Sequence, residues 1–373
     1  MKKSRYIKMC MTFCVVSSVL LQAGCGFKDI DKKLFILAVG IDPSENIENG
    51  IKVTLKIALP FGAIKDSPKP SYAYISQEGA SIGEAVRMLE THVDKVLELG
   101  HLKTIIIHED LLSSHTKHFM DFFVRRGDIQ MIAYVAGARP SAEKILKVEP
   151  ATEAPASVAL FNFFGDTANE SPFIVTTYLF QMRREHYSKG IDIVLPLLET
   201  TEKGDELVIN NAVVINEKKP PITLTIIETK YYNTLLKGAT GAIYHVQHDQ
   251  LQLLLTIKES KMNFKIIEND YQVPEAIEVH VKMKGSIGES NEPLSLSKLN
   301  VYNEISSKDV EKKVYNLLVR MQEEHVDPFG FGLRYRATRL HRSDIDEVWE
   351  NAYPTLDFNV RAEVSLQSTG SIE

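Results

Sequence analysis

Ile277-Glu-Val-His-Val-Lys-Met-Lys284 alternates an apolar with a polar or charged side chain at every step. Successive side chains on a strand point to opposite faces, so this octet reads as a strand with one dry face and one wet face. Two other stretches share the pattern. Leu251, Leu253, Leu255 and Ile257 alternate, and Phe358, Val360, Ala362, Val364 and Leu366 alternate with Asp357, Asn359, Arg361, Glu363 and Ser365. Strands that are dry on one side only are typical of antiparallel sheets. Between the octet and the last strand lies a helical run, about 307–325, with Val310, Val314, Leu317, Leu318 and Met321 on one face. The expected unit is an antiparallel sheet whose dry face is covered by this long helix, an α+β domain over residues 241–373.

Towards the N-terminus the pattern is mixed. Leu34–Gly40, Ile51–Leu59 and Tyr72–Ser76 read as strands, with turn signals at Asp42-Pro43-Ser44 and Asn49-Gly50. A helix is expected from Ser81, with Ile82, Ala85, Val86, Leu89, Val93, Val96 and Leu97 on one face and Gly100 as its stop. Thr104–Ile107 reads as a buried strand, Leu111 to about Arg125 as a helix, and Ile129–Val135 as the next strand. A strand–helix–strand run of this size implies a parallel pair. Pro150 and Pro155 then mark an irregular stretch. Beyond it a helix around 173–184, strands at 191–198 and 207–215, and a helix at 228–236 ended by Gly238 suggest a small unit. The fold class is α+β, in three mixed α/β domains: residues 25–150, a middle domain 151–240, and 241–373. No internal repeat is present.

Residues 1–24 read as a signal. Lys2, Lys3, Arg5 and Lys8 precede the apolar run 9–21, and Ala23-Gly24 precede Cys25. A basic start, a short apolar run and small residues form a secretory leader, too short for a comfortable membrane span. Cysteine directly after Ala-Gly marks a bacterial lipoprotein, with diacylglycerol on the Cys25 thiol. An ordinary leader with an incidental cysteine is the alternative. All three cysteines, Cys10, Cys14 and Cys25, fall in this region. Lipidation would thus leave neither a free thiol nor a disulfide, and a hydrophobic core must hold the body. The formal charge is −6, and loss of the basic leader makes the body more acidic. That argues against nucleic-acid binding and against adhesion to anionic lipid by charge. Two acyl chains suffice for stable anchoring.

Gly79-Ala-Ser81-Ile-Gly83 matches the nucleophile-elbow spacing of serine hydrolases. Ser81 with Glu84 also forms a capping box, which is the favoured reading. His115 and His118 lie one helical turn apart, near His108, but the zinc-type His-Glu-x-x-His spacing is missing. Gly330-Phe-Gly332 lacks the third glycine of a dinucleotide loop and reads as a tight turn. Neither catalytic residue, metal nor cofactor is implied.

Two segments carry a resemblance. Gly100-His101-Leu-Lys-Thr-Ile-Ile-Ile-His-Glu-Asp-Leu-Leu112, continuing to Met120–Arg126, resembles a block of the Ger(x)C family of spore germination lipoproteins. Asp327-Pro-Phe329-Gly330-Phe331-Gly332, then Trp349, Pro354 and the final alternating strand to Thr369-Gly370, resemble that family's C-terminal pattern, and Val39-Gly-Ile-Asp42 also fits. Departures are Gln22 where the lipid signal usually has Leu, and Gly26-Phe27 where the family often has Trp. The resemblance implies a non-enzymatic C subunit of a nutrient germinant receptor. It would sit on the outer face of the spore inner membrane beside A-type and B-type integral membrane subunits, with the small-molecule germinant held by another subunit. Gly100, His101, Phe329, Gly330, Phe331, Gly332 and Trp349 are then structural-motif or partner-interface residues. The rival classes are a solute-binding lipoprotein of an importer and a lipoprotein serine hydrolase using Ser81.

Overall fold

The computed structural model describes residues 11–12, 32–59, 72–113, 115–148, 164–165, 171–238, 241–339 and 343–368. Cys10, Cys14, Cys25 and the closing Thr369-Gly370 lie outside the described residues.

The chain begins with three antiparallel strands, β1 (Lys33–Pro43), β2 (Ile51–Ala58) and β3 (Tyr72–Gly79). Helix α1 (Ile82–Leu89) follows. The Ser81 hydroxyl caps it by accepting from the Glu84 N–H at 3.2 Å, and the Glu84 carboxylate accepts from the Ala80 N–H at 2.8 Å. This helix is half the expected length. The chain turns after Glu90 so that β4 (Val96–Glu98) can pair in parallel with β1. Leu97 is buried there and Val96 is exposed, as a strand requires and a continuing helix face would not.

Strand β5 (Thr104–His108), helix α2 (Thr116–Arg125) and strand β6 (Tyr134–Arg139) form the expected parallel unit. The strand starts later than its apolar run suggests. Residues 129–133 turn, because register pairs Thr104 with Tyr134. Helix α3 (Ala142–Lys147) comes next, and helix α4 (Leu179–His186) starts well inside the expected 173–184 run. Strands β7 (Ile193–Thr200), β8 (Leu207–Ile215) and β9 (Ile222–Leu224) lie in the segment expected as a middle domain. They continue the first sheet without a break, giving the order β3-β2-β1-β5-β6-β7-β8-β9, with β4 beside β1. Helix α5 (Ile226–Lys237) ends at Gly238, which has φ +67°. A left-handed residue ends a helix at least cost when it has no Cβ.

The second sheet runs β10 (Ala242–His248), β11 (Leu251–Glu268), β12 (Pro274–Ser290) and β13 (Asp357–Leu366). The first three are antiparallel, but β13 lies parallel to β12. The sheet is therefore mixed rather than antiparallel throughout. The reason is the connection: helix α6 (Leu299–Glu323) crosses the dry face from the end of β12 and returns the chain in the same direction. Val310, Val314, Leu317, Leu318 and Met321 of α6 are all buried. Two short helices absent from the sequence reading, α7 (Phe331–Ala337) and α8 (Ile345–Ala352), complete the unit. Val194, Ala212, Val214 and Leu224 of the first sheet share one core with the second sheet.

Candidate functional site

The Asp327–Gly332 segment links α6 to α7, and it folds around its own aspartate. The Asp327 carboxylate accepts from the Gly330 N–H at 2.8 Å and the Gly332 N–H at 2.7 Å. Gly330 has φ +73° and opens α7 as its first cap. Phe329 and Phe331 turn inward and stack, with ring centres 5.8 Å apart. Phe331 also meets Phe264 of β11 edge-on at 4.8 Å, and both Phe residues are buried.

This turn docks on the first sheet. The Asp192 carboxylate, just ahead of β7, accepts from the Asp327 N–H at 2.6 Å, and the Asp327 carbonyl accepts from the Asp192 N–H at 3.0 Å. Asn216, at the end of β8, donates to the other Asp192 oxygen at 2.8 Å. The Leu333 N–H donates to the Gly190 carbonyl at 2.6 Å. Gly190 has φ +79°, and a Cβ there would overlap the Gly332 backbone. A Cβ on Gly332 would overlap the Trp349 indole. The two glycines are thus required by the close approach of two backbones and an indole. Gly190→Ala should lower unfolding stability by about 1–3 kcal/mol, through a left-handed Cβ and backbone overlap. Urea unfolding of the purified protein measures this, and an unchanged midpoint would show that the two backbones can separate at no cost.

Burial pushes the Asp327 carboxyl up to about 7, against the lowering effect of the backbone N–H groups it accepts from. Burial raises Asp192 as well. A carboxyl that titrates near neutrality is often functional. Here both oxygens accept from glycine amides and the residue is 5% exposed, so the carboxylate is engaged in clamping a turn. The clamp forms part of the wall of an open cleft of about 400 Å³, lined by Asp192 and Asp327 together with Lys218, Lys219, Trp349 and Tyr353. Trp349 stacks on Tyr353 at 5.3 Å, and the Tyr353 hydroxyl donates to the Val326 carbonyl at 2.8 Å.

The other motif residues stand apart from this clamp. Gly40 lets α3 lie against β1, since a Cβ there would come within 2.8 Å of Leu146. Asp42 caps the same helix, accepting from the Ala142 N–H at 2.6 Å and the Glu143 N–H at 2.9 Å. Gly100 sits in a short turn, where its carbonyl accepts from the Gln130 side chain at 2.9 Å, and the exposed His101 ring packs on Phe35 at 4.7 Å. Ser81 is engaged as a helix cap. The His115 and His118 ring centres are 6.3 Å apart, and burial lowers the His115 pKa first, with the second histidine adding to it. No group of three or more His, Cys, Asp or Glu side chains comes together for a metal among the described residues. The sequence reading missed Gly190, Asp192 and Asn216. The only signal was a glycine two residues before an aspartate at the mouth of a strand.

Two family models match in sequence, and they meet between residues 200 and 210, inside the first sheet. The first, described as the spore germination protein N-terminal domain, matches residues 26–200. The second, described as spore germination B3/GerAC like, C-terminal, matches residues 210–370. The chain is 22% identical to the spore germination protein GerQC of Bacillus cereus over 98% of this chain and all of that one. It is 21% identical to the putative spore germination protein YfkR of Bacillus subtilis, over 79% of this chain and 78% of that one. In fold it resembles the crystal structure of the GerBC protein, with a TM-score of 0.56 and 18% identity, covering 88% of this chain and 96% of the other.

Proposed function

Because the chain belongs to the GerAC-like family of spore germination proteins, we propose that it is a non-enzymatic lipoprotein subunit of a nutrient germinant receptor. In this reading diacylglyceryl-Cys25 holds it on the outer face of the spore inner membrane. A-type and B-type integral membrane subunits are its partners, and another subunit holds the germinant. The observation that carries the reading is the pair of family matches, in order, from residue 26 to residue 370. The first begins directly after Cys25. Strand β1 starts at Lys33, so the tether spans at most roughly 30 Å and keeps the body near the bilayer. No helix among the described residues is long and apolar enough to cross a membrane, which leaves the lipid as the anchor this reading requires. The Ser81 hydroxyl and the Asp327 carboxylate are both engaged by backbone amides, which supports binding over chemistry.

Cys25→Ala tests the anchor. The protein should move from the membrane fraction to the soluble fraction, and spores carrying it should respond poorly to the receptor's nutrient. Retention in the membrane fraction of a strain without the partner subunits would overturn the anchoring claim. Ser81→Ala separates the hydrolase reading: germination should proceed normally, apart from a loss of about 1 kcal/mol from the cap.

A further inference from the structure

Helix α6 closes part of the free edge of β13 with a ladder of side chains. Glu311 accepts from the Ala362 N–H at 3.0 Å, Ser307 from the Val364 N–H at 3.0 Å and Asn303 from the Leu366 N–H at 2.9 Å. The spacing is a consequence of geometry. Four residues of helix rise about 6 Å and two residues of strand about 6.6 Å, so an antiparallel helix can place one acceptor on every outward amide. The next helix position in the series is Tyr315, which is 45% exposed. Its phenol replaces the short acceptor, and the ladder stops there. By strand alternation the Val360 and Phe358 amides and carbonyls point to the same open side. Among the described residues they have no strand partner, since β13 pairs there with β12 alone. An open groove of about 830 Å³ runs along this stretch, between Lys312 and Tyr315 on the helix side and Arg361 on the strand side.

We propose that the β13 edge at Phe358–Arg361 takes up an extended acidic segment of a partner protein as an added strand. An unpaired edge is a template for strand addition, with main-chain hydrogen bonds giving affinity and alternate side chains giving selectivity. Charge selects the occupant. Lys312 and Arg361 form no ion pair among the described residues, whereas Lys308 is matched by Glu304 and the Glu311 carboxylate is engaged at the Ala362 amide. Glu278 and Glu311 are the carboxylates at the groove, against Lys308, Lys312 and Arg361, and the cross-strand neighbour of Glu278 is Lys265. The apolar wall of Val360 and Tyr315 asks for an apolar residue at alternate positions. The segment is therefore one that alternates acidic and apolar side chains. The edge is independent of the receptor reading, and its failure would leave the lipid anchor and the family role untouched.

The test uses the full-length protein in detergent with a short capped peptide alternating glutamate and valine, and the same peptide with lysine for glutamate. Binding is followed by fluorescence anisotropy and by hydrogen exchange at individual amides. The glutamate peptide should bind and slow exchange at Phe358 and Val360 by about tenfold or more, while Ala362 and Leu366 stay as they were. The lysine peptide should bind at least about tenfold more weakly. Val360→Pro removes one outward donor and should abolish the protection. Lys312→Glu with Arg361→Glu, which alters only exposed positions, should reverse the preference between peptides. Equal binding of both peptides, or protection that leaves Phe358 and Val360 unchanged, would overturn the proposal. Concentration-dependent protection of the same amides without peptide would overturn it too, by assigning the edge to a second copy of this chain.

Discussion

Phe331→Ala should lower unfolding stability by about 3–5 kcal/mol, as truncation of a fully enclosed aromatic ring does. Phe331 is 0% exposed. Its ring meets Phe264 of β11, Phe358 of β13 and Phe329 of its own turn, at 4.8, 5.8 and 5.8 Å. The ring ties β11 and the edge strand β13, on either side of β12, to α7, so the vacated space has rigid walls and cannot collapse easily. Aromatic pairing adds to the loss beyond area alone. Urea unfolding of the full-length protein in detergent gives the number. A residue acting only at a partner surface would leave this midpoint unchanged and reduce recovery of the proposed receptor complex. An unchanged midpoint for Phe331→Ala would therefore remove the ring from the core account and return it to the interface.

The same neighbourhood shows what a sequence can and cannot disclose. The octet at 277–284, the last strand and α6 were legible because each has one wet side, which writes a period of two or of 3.6 into the residues. The direction of β13 was not legible. Alternation reports faces, and parallel or antiparallel pairing depends on where the intervening helix leaves the chain. The long helix expected from Ser81 failed for a related reason. Val93, Val96 and Leu97 continue a helical spacing by coincidence, while pairing of β4 with β1 decides the conformation. Strand β6 was displaced because it is buried on both sides, so its apolar run has no alternation to fix the ends.

The turn at 327–332 was found by its glycines and aromatics, yet its working was hidden. Gly330 and Gly332 suggested a tight turn, and locally that is sound. What the glycines permit is a helix start and a backbone-to-indole contact, both set by tertiary neighbours. The partner of Asp327 lies 135 residues earlier, at Asp192. No local pattern links two aspartates at that distance. The continuity of the first sheet through β7, β8 and β9 was equally invisible, since short strands carry no label naming the sheet they will join.

Asp327→Asn should flatten the pH dependence of stability. Burial raises the folded-state carboxyl to about 7, and the unfolded chain titrates near 4. Below about pH 4 both states hold the proton and stability is at its fullest. Between about 4 and 7 the unfolded chain gives up a proton that the folded chain keeps, so stability falls as pH rises. The fall is complete above about 7 and is on the order of 4 kcal/mol for this group. Asparagine cannot titrate, so its curve should lack this slope. Asp192, also raised by burial, leaves a residual slope of the same sign. The variant has its own cost. One glycine N–H loses its acceptor, because the amide nitrogen has no free lone pair to offer, and that costs about 1–3 kcal/mol at low pH. The two stability curves should therefore converge or cross between about pH 5 and 8, with wild type ahead on the acid side. Urea midpoints of both proteins across this range decide the matter. Parallel curves would mean that Asp327 is already ionised in the folded protein at pH 5, held by the Gly330 and Gly332 amides more strongly than burial opposes it.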